Sequence, residues 1–444
     1  MKDIKKPKIR HQWRSLIFGL VSLSLVAVTA YHLQIIPFWV SFIGSSSLIK
    51  IISYPFLACL IVLFLGLGFR LSLWLKYRPE TLETVEQVNF PSVSIIMPAY
   101  NEEKWVSRAI EAVLSSDYPQ DKLELICIND GSTDGTLAML ENVRRRDPAR
   151  IKVISFDRNR GKKEALFRGM KEASGQIVIT TDADSQLQRR AIKNLIIPLL
   201  ADERVGAVAG KVAVLNENKN LITRMLSLRF ALAFDFGRAY QSVYGGVLCC
   251  PGALSAFRKK SLLKVIHSWK RQKFLKAVCH HGEDRSLTSL ILKKGYLVKY
   301  QSNAVVNTRV PEKVSEANKM YLRWTRSAVR ESWFFARFVL LRGRRKYYIL
   351  PAIDFFFQSM LHPLHLTALA LLTCSVFIRP DFFFNQLAFL SVLAMALNLN
   401  NYRVQKNLKW LYYGALQGLL VFFFQWWIVP YSIITVRNQN WLTK

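Results

Sequence analysis

The chain has 444 residues, with 62 Lys and Arg against 30 Asp and Glu, a formal net charge of +32. It is 51% hydrophobic and 12% aromatic, which excludes a disordered polypeptide. The apolar residues are unevenly spread, which argues against an ordinary soluble enzyme and for one soluble block between two membrane blocks.

No formally charged residue lies between Arg14 and Lys50, or between Lys50 and Arg70. Each gap can hold a spanning helix of about 20 apolar residues, expected at 15–34 and 51–73. The N-terminus carries Lys2, Lys5, Lys6, Lys8, Arg10 and Arg14, whereas the turn 37–47 carries no charge. By the positive-inside rule the N-terminus is cytosolic, the turn is outside, and the chain returns to the cytosol after Leu75. A cleaved signal peptide is the competing reading of the N-terminus, but a second apolar window follows closely. Three further uncharged windows, 355–378, 382–402 and 410–436, make up the tail. Much of the positive charge flanks these windows, as at Arg337, Arg342, Arg344, Arg345 and Lys346. That placement suits an anionic lipid bilayer as partner, and no nucleic acid is expected.

Between the blocks, residues 92–97, 123–128, 152–155 and 176–181 read as buried strands. Helical patterns fall at 105–115, 136–146, 163–173 and 189–200. Such alternation predicts an α/β fold with a mainly parallel sheet covered on both faces, binding its ligand beyond the carboxyl ends of the strands. Those ends carry Pro98-Ala99-Tyr100-Asn101-Glu102-Glu103, Asn129-Asp130-Gly131-Ser132-Thr133-Asp134-Gly135 and Thr181-Asp182-Ala183-Asp184-Ser185. No G-x-G-x-x-G or P-loop pattern is present, so a dinucleotide or P-loop site is not expected.

A rim of carboxylates repels an anionic nucleotide unless a cation intervenes. Asp182 and Asp184 can present oxygens to one hard divalent ion that bridges to phosphates. Asp130 can accept from the N–H of a uracil ring and Tyr100 can stack on it; Asn129-Asp130-Gly131-Ser132 is also good turn chemistry. Lys162 is a candidate phosphate or base contact, or else a solvated lysine at a helix start. The six cysteines form no C-x-x-C pair, and Cys279-His280-His281 lacks metal-ligand spacing, so a structural or substrate-lining role is expected there.

The PAYNEE, NDGSTDGT and TDADS segments, in this order and spacing, resemble family 2 glycosyltransferases of the GT-A fold. Further on, residues 245–252, the Gly282-Glu283-Asp284-Arg285 segment, and Arg323-Trp324 resemble the acceptor-binding, GEDR and Q-Q-x-R-W stretches of bacterial hyaluronan synthases and rhizobial chitin-oligosaccharide synthases. The final residues 436–444 are similar to their C-terminal W-G-T-R segment. Two departures stand out: Met320 and Tyr321 occupy the two Gln positions of Q-Q-x-R-W, and the chain ends with Leu442 and Lys444. The first bears on acceptor binding and product length.

The resemblance implies a cytosolic GT-A (Rossmann-like) domain between N- and C-terminal transmembrane helices, with interfacial helices. The divisions expected are 1–75 (N-terminus and two spans), 76–310 (GT-A domain), 311–346 (interfacial helices with the R-W motif), 347–436 (spanning and re-entrant helices) and 437–444 (active-site segment). It implies Asp284 as general base supported by Glu283, at the start of a helix over 284–293 where the dipole favours a carboxylate. Donor contacts are implied at Ala99, Tyr100, Glu102, Asp130, Lys162, Asp182, Arg323, Trp441 and Lys444, acceptor contacts at Cys250, Gly252 and Trp324, and Mg2+ or Mn2+ on Asp184 with Asp182. The implied activity is inverting, processive polymerisation of sugars from UDP-GlcNAc, with UDP-GlcA as second donor for a hyaluronan-like product, and passage of the growing polysaccharide through the membrane. Poly-β-1,6-GlcNAc synthesis and non-processive transfer to a lipid carrier are the alternatives; a non-catalytic basic scaffold is a third. A helix over 315–341 reads as interfacial. Five full spans would leave the C-terminus outside, so one tail segment is expected to be re-entrant: 410–436 broken at Pro430, or else 347–361 forms a separate element.

Overall fold

A computed structural model describes residues 24–35, 37, 40–41, 47–84, 89–275, 277–279, 281–342, 349–378, 380–405 and 409–438. The chain forms two compact units, Met1–Leu75 with Ala352–Pro430, and Lys76–Pro351 with Tyr431–Lys444.

The second unit is built on β1 (Val93–Ala99), β2 (Leu123–Asn129), β3 (Ile151–Ser155), β4 (Ile177–Thr181), β5 (Ser185–Leu187), β6 (Val205–Val214), β7 (Leu254–Arg258) and β10 (Leu297–Thr308). Their order across the sheet is β3-β2-β1-β4-β7-β6-β10-β5; β8 (Lys273–Phe274) and β9 (Ala277–Val278) pair separately. β3, β2, β1 and β4 run parallel, and β7 lies antiparallel between β4 and β6. The four strands expected from sequence are present with ends within two residues of the predicted ones. In β1, β2 and β4 the apolar residues are buried on both faces, as in Val93, Ile95, Ile96 and Met97, because helices cover both sides of a parallel sheet; β3, expected as a buried strand, is at the sheet edge, and its Val153 and Ile154 are only half-buried. The helix Val106–Leu114 shows how: Val106, Ala109, Ile110 and Val113, at helical spacing, are buried.

Register fixes the rim. Ala99 pairs with Asn129 and Asn129 with Ser155, so the first three strands end level. Strand order reverses at β1, whose neighbours are β2 on one side and β4 on the other. A crevice opens at such a reversal beyond the carboxyl ends of the strands, which are Ala99 and Thr181 here.

Further along, Val314–Arg342 is one continuous 29-residue helix, where an interfacial helix over 315–341 is expected. In the first unit, the expected apolar windows 51–73 and 382–402 lie within the helices Ser47–Lys76 and Pro380–Gln405, and 355–378 lies within Ile349–Ile378. Among the described residues no helix is long and apolar enough to cross a membrane. The window 15–34 is described only from residue 24 onward. The window 410–436 is interrupted as expected, but at 425–427 rather than at Pro430, which sits inside the helix Ile428–Ile434. A proline in the first turn of a helix has no intrahelical N–H bond to lose, so it does not force the break.

Candidate active site

The rim loops are tied to one another by their own polar side chains. Asn101 Oδ1 accepts from Thr133 N at 2.9 Å, and Thr136 Oγ1 accepts from Glu102 N at 2.8 Å. These bonds join the loop after β1 to the loop after β2. Asp130 then joins the loop after β2 to the one after β3: its carboxylate accepts from Arg160 N at 2.7 Å and Gly161 N at 2.9 Å. Asp130 is buried, and its N–H donates to Ala99 O at 2.8 Å. Burial pushes its carboxyl up, against the two backbone donors that favour the charged form. The loops meet closely because residue 131 is Gly at φ +67°; a Cβ there would lie 2.3 Å from the carbonyl carbon of Arg158. Asp130 thus holds the loops after β2 and β3 together, and Tyr100, the residue after Ala99, is half-buried.

After β4 the chain turns, Ser185 N donating to Asp182 O at 3.1 Å; Thr181, Ala183 and Ser185 are buried, Asp182 and Asp184 are half-buried, and the two carboxylates are close enough for the charge of one to act on the other. Asp184 Oδ1 accepts from Ser185 Oγ at 3.2 Å and lies 3.5 Å from Thr308 Oγ1 at the end of β10. Burial, and then the charge of Asp182, push the Asp184 carboxyl up. Two mutually repelling hard oxygen donors in one place fit a divalent cation such as Mg2+ or Mn2+, which needs only one or two carboxylates when phosphates and water complete its shell. Among the described residues no group of three or more His, Cys, Asp or Glu could hold a metal ion, so the remaining ligands would have to come from substrate and solvent.

Lys162 opens the helix Lys162–Glu172. Its Nζ lies 2.5 Å from Asp182 Oδ1 and 3.8 Å from Glu283 Oε1. Burial opposes its charge, but Asp182 and Glu283 outweigh that and hold its pKa above the usual lysine value. With Asp284 as a third, weaker influence it is the hub of three acidic groups, not the solvated lysine that its sequence position also allowed. Gly252 lies against this pair: a Cβ there would be 2.9 Å from Lys162 Nζ and 3.7 Å from Asp182 Oδ1.

The helix Glu283–Lys293 begins one residue earlier than predicted, behind Gly282 at φ +76°. A Cβ at Gly282 would lie 1.8 Å from Ser327 Oγ, so only glycine lets this helix start press against Val314–Arg342. Glu283 is buried, and burial raises its pKa despite Lys162. Asp284, beside it and half-buried, accepts from Arg285 N at 2.7 Å and from Cys249 Sγ at 3.4 Å. Cys250 N donates to Thr288 Oγ1 at 3.0 Å, and that hydroxyl donates to Asp284 O at 2.7 Å. The structure so brings Lys162, Asp182, Gly252, Glu283, Asp284 and Cys250 into one cluster. Arg323 is near enough to Glu283 to favour its charged form. Trp324 is partly exposed and packs beside Phe230 and Tyr321, with ring centroids 5.9 and 6.0 Å away. Trp441 and Lys444 lie outside the described residues.

Sequence reasoning placed Cys249 only within the acceptor-like stretch 245–252 and not as a partner of Asp284; it missed Arg238 and Thr308 as partners of the site, and Gly282 as its hinge-point. Only Gly282 had a signal, a glycine immediately before an acidic helix start.

A rim of this build on this sheet is that of a GT-A glycosyltransferase. Residues 94–266 match the family model described as glycosyl transferase family 2. An N-acetylglucosaminyltransferase of Sinorhizobium fredii is 31% identical over 286 residues, 64% of this chain and 67% of that protein. A hyaluronan synthase of Streptococcus pyogenes is 28% identical over 356 residues, 79% of this chain and 83% of that protein. Among rhizobial N-acetylglucosaminyltransferases it matches, the chain spans between about half and about four fifths of their length. The solved mannosyltransferase PcManGT of Pyrobaculum calidifontis, a complex with GDP-Man and Mn2+, superposes with a TM-score of 0.59 at 22% identity, over 83% of this chain and 99% of that one; that likeness speaks for the fold alone. The chain belongs to glycosyltransferase family 2.

Proposed function

We propose that this chain is a membrane-embedded, inverting, processive β-glycosyltransferase that polymerises sugar from UDP-GlcNAc and passes the product through the bilayer. The observation that carries the reading is the cluster at the strand ends, in which Lys162 lies between the Asp182 side and the Glu283–Asp284 side. One side suits a sugar diphosphate and the other an acceptor hydroxyl.

The reaction is a single displacement. An acceptor hydroxyl oxygen attacks the anomeric carbon, the bond to the diphosphate breaks, and the hydroxyl proton passes to the Asp284 carboxylate. An α-linked donor thereby gives a β-linked product, with one base and no covalent intermediate. Lys162 and Arg323 supply fixed positive charge against the leaving UDP. Asp182 and Asp184 would hold a divalent cation, which when bound neutralises the diphosphate. Trp324 offers an aromatic face to an acceptor sugar.

Membrane insertion is supported by the uncharged windows of the sequence and by large apolar side chains exposed in the first unit, among them Phe377 and Phe384, 84% and 72% exposed. Surface of that kind suits hydrocarbon better than water. The catalytic unit then faces the cytosol at the inner membrane, where nucleotide sugars are made.

Incubating membranes that carry the protein with radiolabelled UDP-GlcNAc, with and without UDP-GlcA, tests the reading. Polymer that forms with UDP-GlcNAc alone and is cut by chitinase identifies a chitin-like product; polymer that needs both donors and is cut by hyaluronidase identifies a hyaluronan-like one. Label that resists both enzymes, or that stops at a single sugar on lipid, contradicts the proposal.

A further inference from the structure

Behind the acceptor side of the site, the helix Leu221–Ala231 changes to π-helical winding over Leu232–Arg238 before continuing as Ala239–Val243. A π-turn adds a residue to the turn and re-aims the side chains that follow, and such turns are frequent at functional sites. Here it delivers Arg238 onto the Phe234 ring, with the guanidinium 3.9 Å from the ring centroid. Two nitrogens of the fork hold backbone carbonyls: Nε donates to Cys249 O at 3.0 Å and Nη1 to Ala233 O at 3.1 Å. Cys249 is buried, and its thiol reaches Asp284 Oδ2 at 3.4 Å while Arg285 N holds Oδ1. Both oxygens of the carboxylate are thus tethered by groups that are themselves held.

We infer that Cys249 and Arg238 are positioning residues for Asp284, with Arg238 fixing the Cys249 backbone and the Cys249 thiol fixing the rotation of the Asp284 carboxylate. The inference rests on the reading of Asp284 as the base. A thiol suits this task because it is a weak donor: it orients the carboxylate and leaves most of its capacity to accept a proton. A hydroxyl in the same place would bind the charged form more firmly. Burial pushes the Cys249 thiol up to about 12, so it stays protonated and remains a donor throughout the working range of an enzyme. The charged and titratable groups facing Asp284 are Glu283 and Arg285 on its own helix, Lys162 across the site, Arg238 behind Cys249, and Arg323 on the helix Val314–Arg342 through Glu283.

The test is steady-state kinetics against pH on the full-length protein in membranes, for Cys249→Ala, Cys249→Ser, Arg238→Ala, the double Arg238→Ala/Cys249→Ala variant, and Asp284→Asn. UDP binding serves as the check that each is folded. Expected for Cys249→Ala is a kcat lower by about tenfold, a KM for UDP-GlcNAc within about twofold of wild type, and an acid limb of the rate profile moved to higher pH. Cys249→Ser moves the acid limb the other way. Arg238→Ala repeats the Cys249→Ala pattern, and the double variant is no worse than the worse single one, because the two act through one contact. An acid limb that stays in place in both Cys249 variants, or single effects that multiply in the double variant, overturns the inference. Asp284→Asn separates the two ideas: if it retains turnover, the base assignment itself fails; if it is inactive while the Cys249 variants keep the wild-type profile, only the positioning inference fails.

Discussion

Lys162 Nζ and Asp182 Oδ1 lie 2.5 Å apart, so the helix after β3 is tied to the loop after β4 across the strand-order reversal. Lys162→Met is expected to lower kcat/KM by roughly a hundredfold, through loss of fixed positive charge beside the diphosphate. It also leaves Glu283, buried and 3.8 Å from Nζ, without its nearest cation, so stability falls as well. The pH sign follows from the direction of the Lys162 shift. A lysine whose folded pKa is raised contributes stability that is complete below its unfolded value and is lost as pH rises through its folded value. Thermal unfolding of wild type and Lys162→Met between neutral and mildly alkaline pH should therefore show a constant gap.

The next residue behaves in the opposite sense. Lys163 is buried, donates to Cys279 O at 2.9 Å and faces the Trp269 ring at 5.3 Å. Burial, only partly offset by nearby groups, lowers its pKa from 10.5 to about 8. Below that value the folded protein carries a buried charge at a cost; between about 8 and 10.5 the unfolded chain binds a proton that the folded one does not. The stability of wild type relative to Lys163→Met is expected to rise across this interval. A difference that is flat with pH contradicts the expectation.

Gly282→Ala is expected to destabilise the catalytic unit by roughly 1–3 kcal/mol, from its φ of +76° and from the Cβ position 1.8 Å from Ser327 Oγ. The helix carrying Glu283 and Asp284 begins at this point, so turnover should fall more than UDP binding does. The double variant Gly282→Ala/Ser327→Gly removes the clash but not the backbone strain, and should recover only part of the melting temperature.

In the first unit, Arg70 Nε donates to Asp354 Oδ1 at 2.8 Å, and Gln358 Nε2 reaches Asp354 Oδ2 at 2.9 Å. The two charged side chains are 9% and 1% exposed. Asp354→Ala leaves a buried guanidinium without its countercharge and is expected to cost roughly 3–5 kcal/mol, whereas Arg70→Met/Asp354→Leu should regain most of that. Comparing detergent-solubilised variants by thermal unfolding decides it; a double variant as unstable as the single one contradicts the expectation.

The first four strands were legible because each is a short run with apolar residues ending in turn-forming chemistry, acidic after β1, β2 and β4 and basic after β3, and the helix 136–146 was read to the residue. β6 was not legible: its sequence VGAVAGKVAV is rich in Ala and Gly, which carry little strand signal. β7 was missed because it enters antiparallel between β4 and β6, a placement decided by the tertiary fold. The acidic rim was visible as motifs, whereas its pairings were not. Lys162 meets Asp182 and Glu283, and Cys249 meets Asp284, across long stretches of chain. The π-turn that aims Arg238 has no local pattern to announce it.

The central claim is that Asp284 removes the acceptor proton while the donor nucleotide is held on the opposite side of Lys162. Single-turnover transfer of radiolabelled GlcNAc from UDP-GlcNAc in membranes, with UDP affinity measured on the same preparations, tests it most directly. Asp284→Asn should bind UDP as wild type does and transfer label slower by about a thousandfold; transfer at the wild-type rate with intact UDP binding would contradict the account.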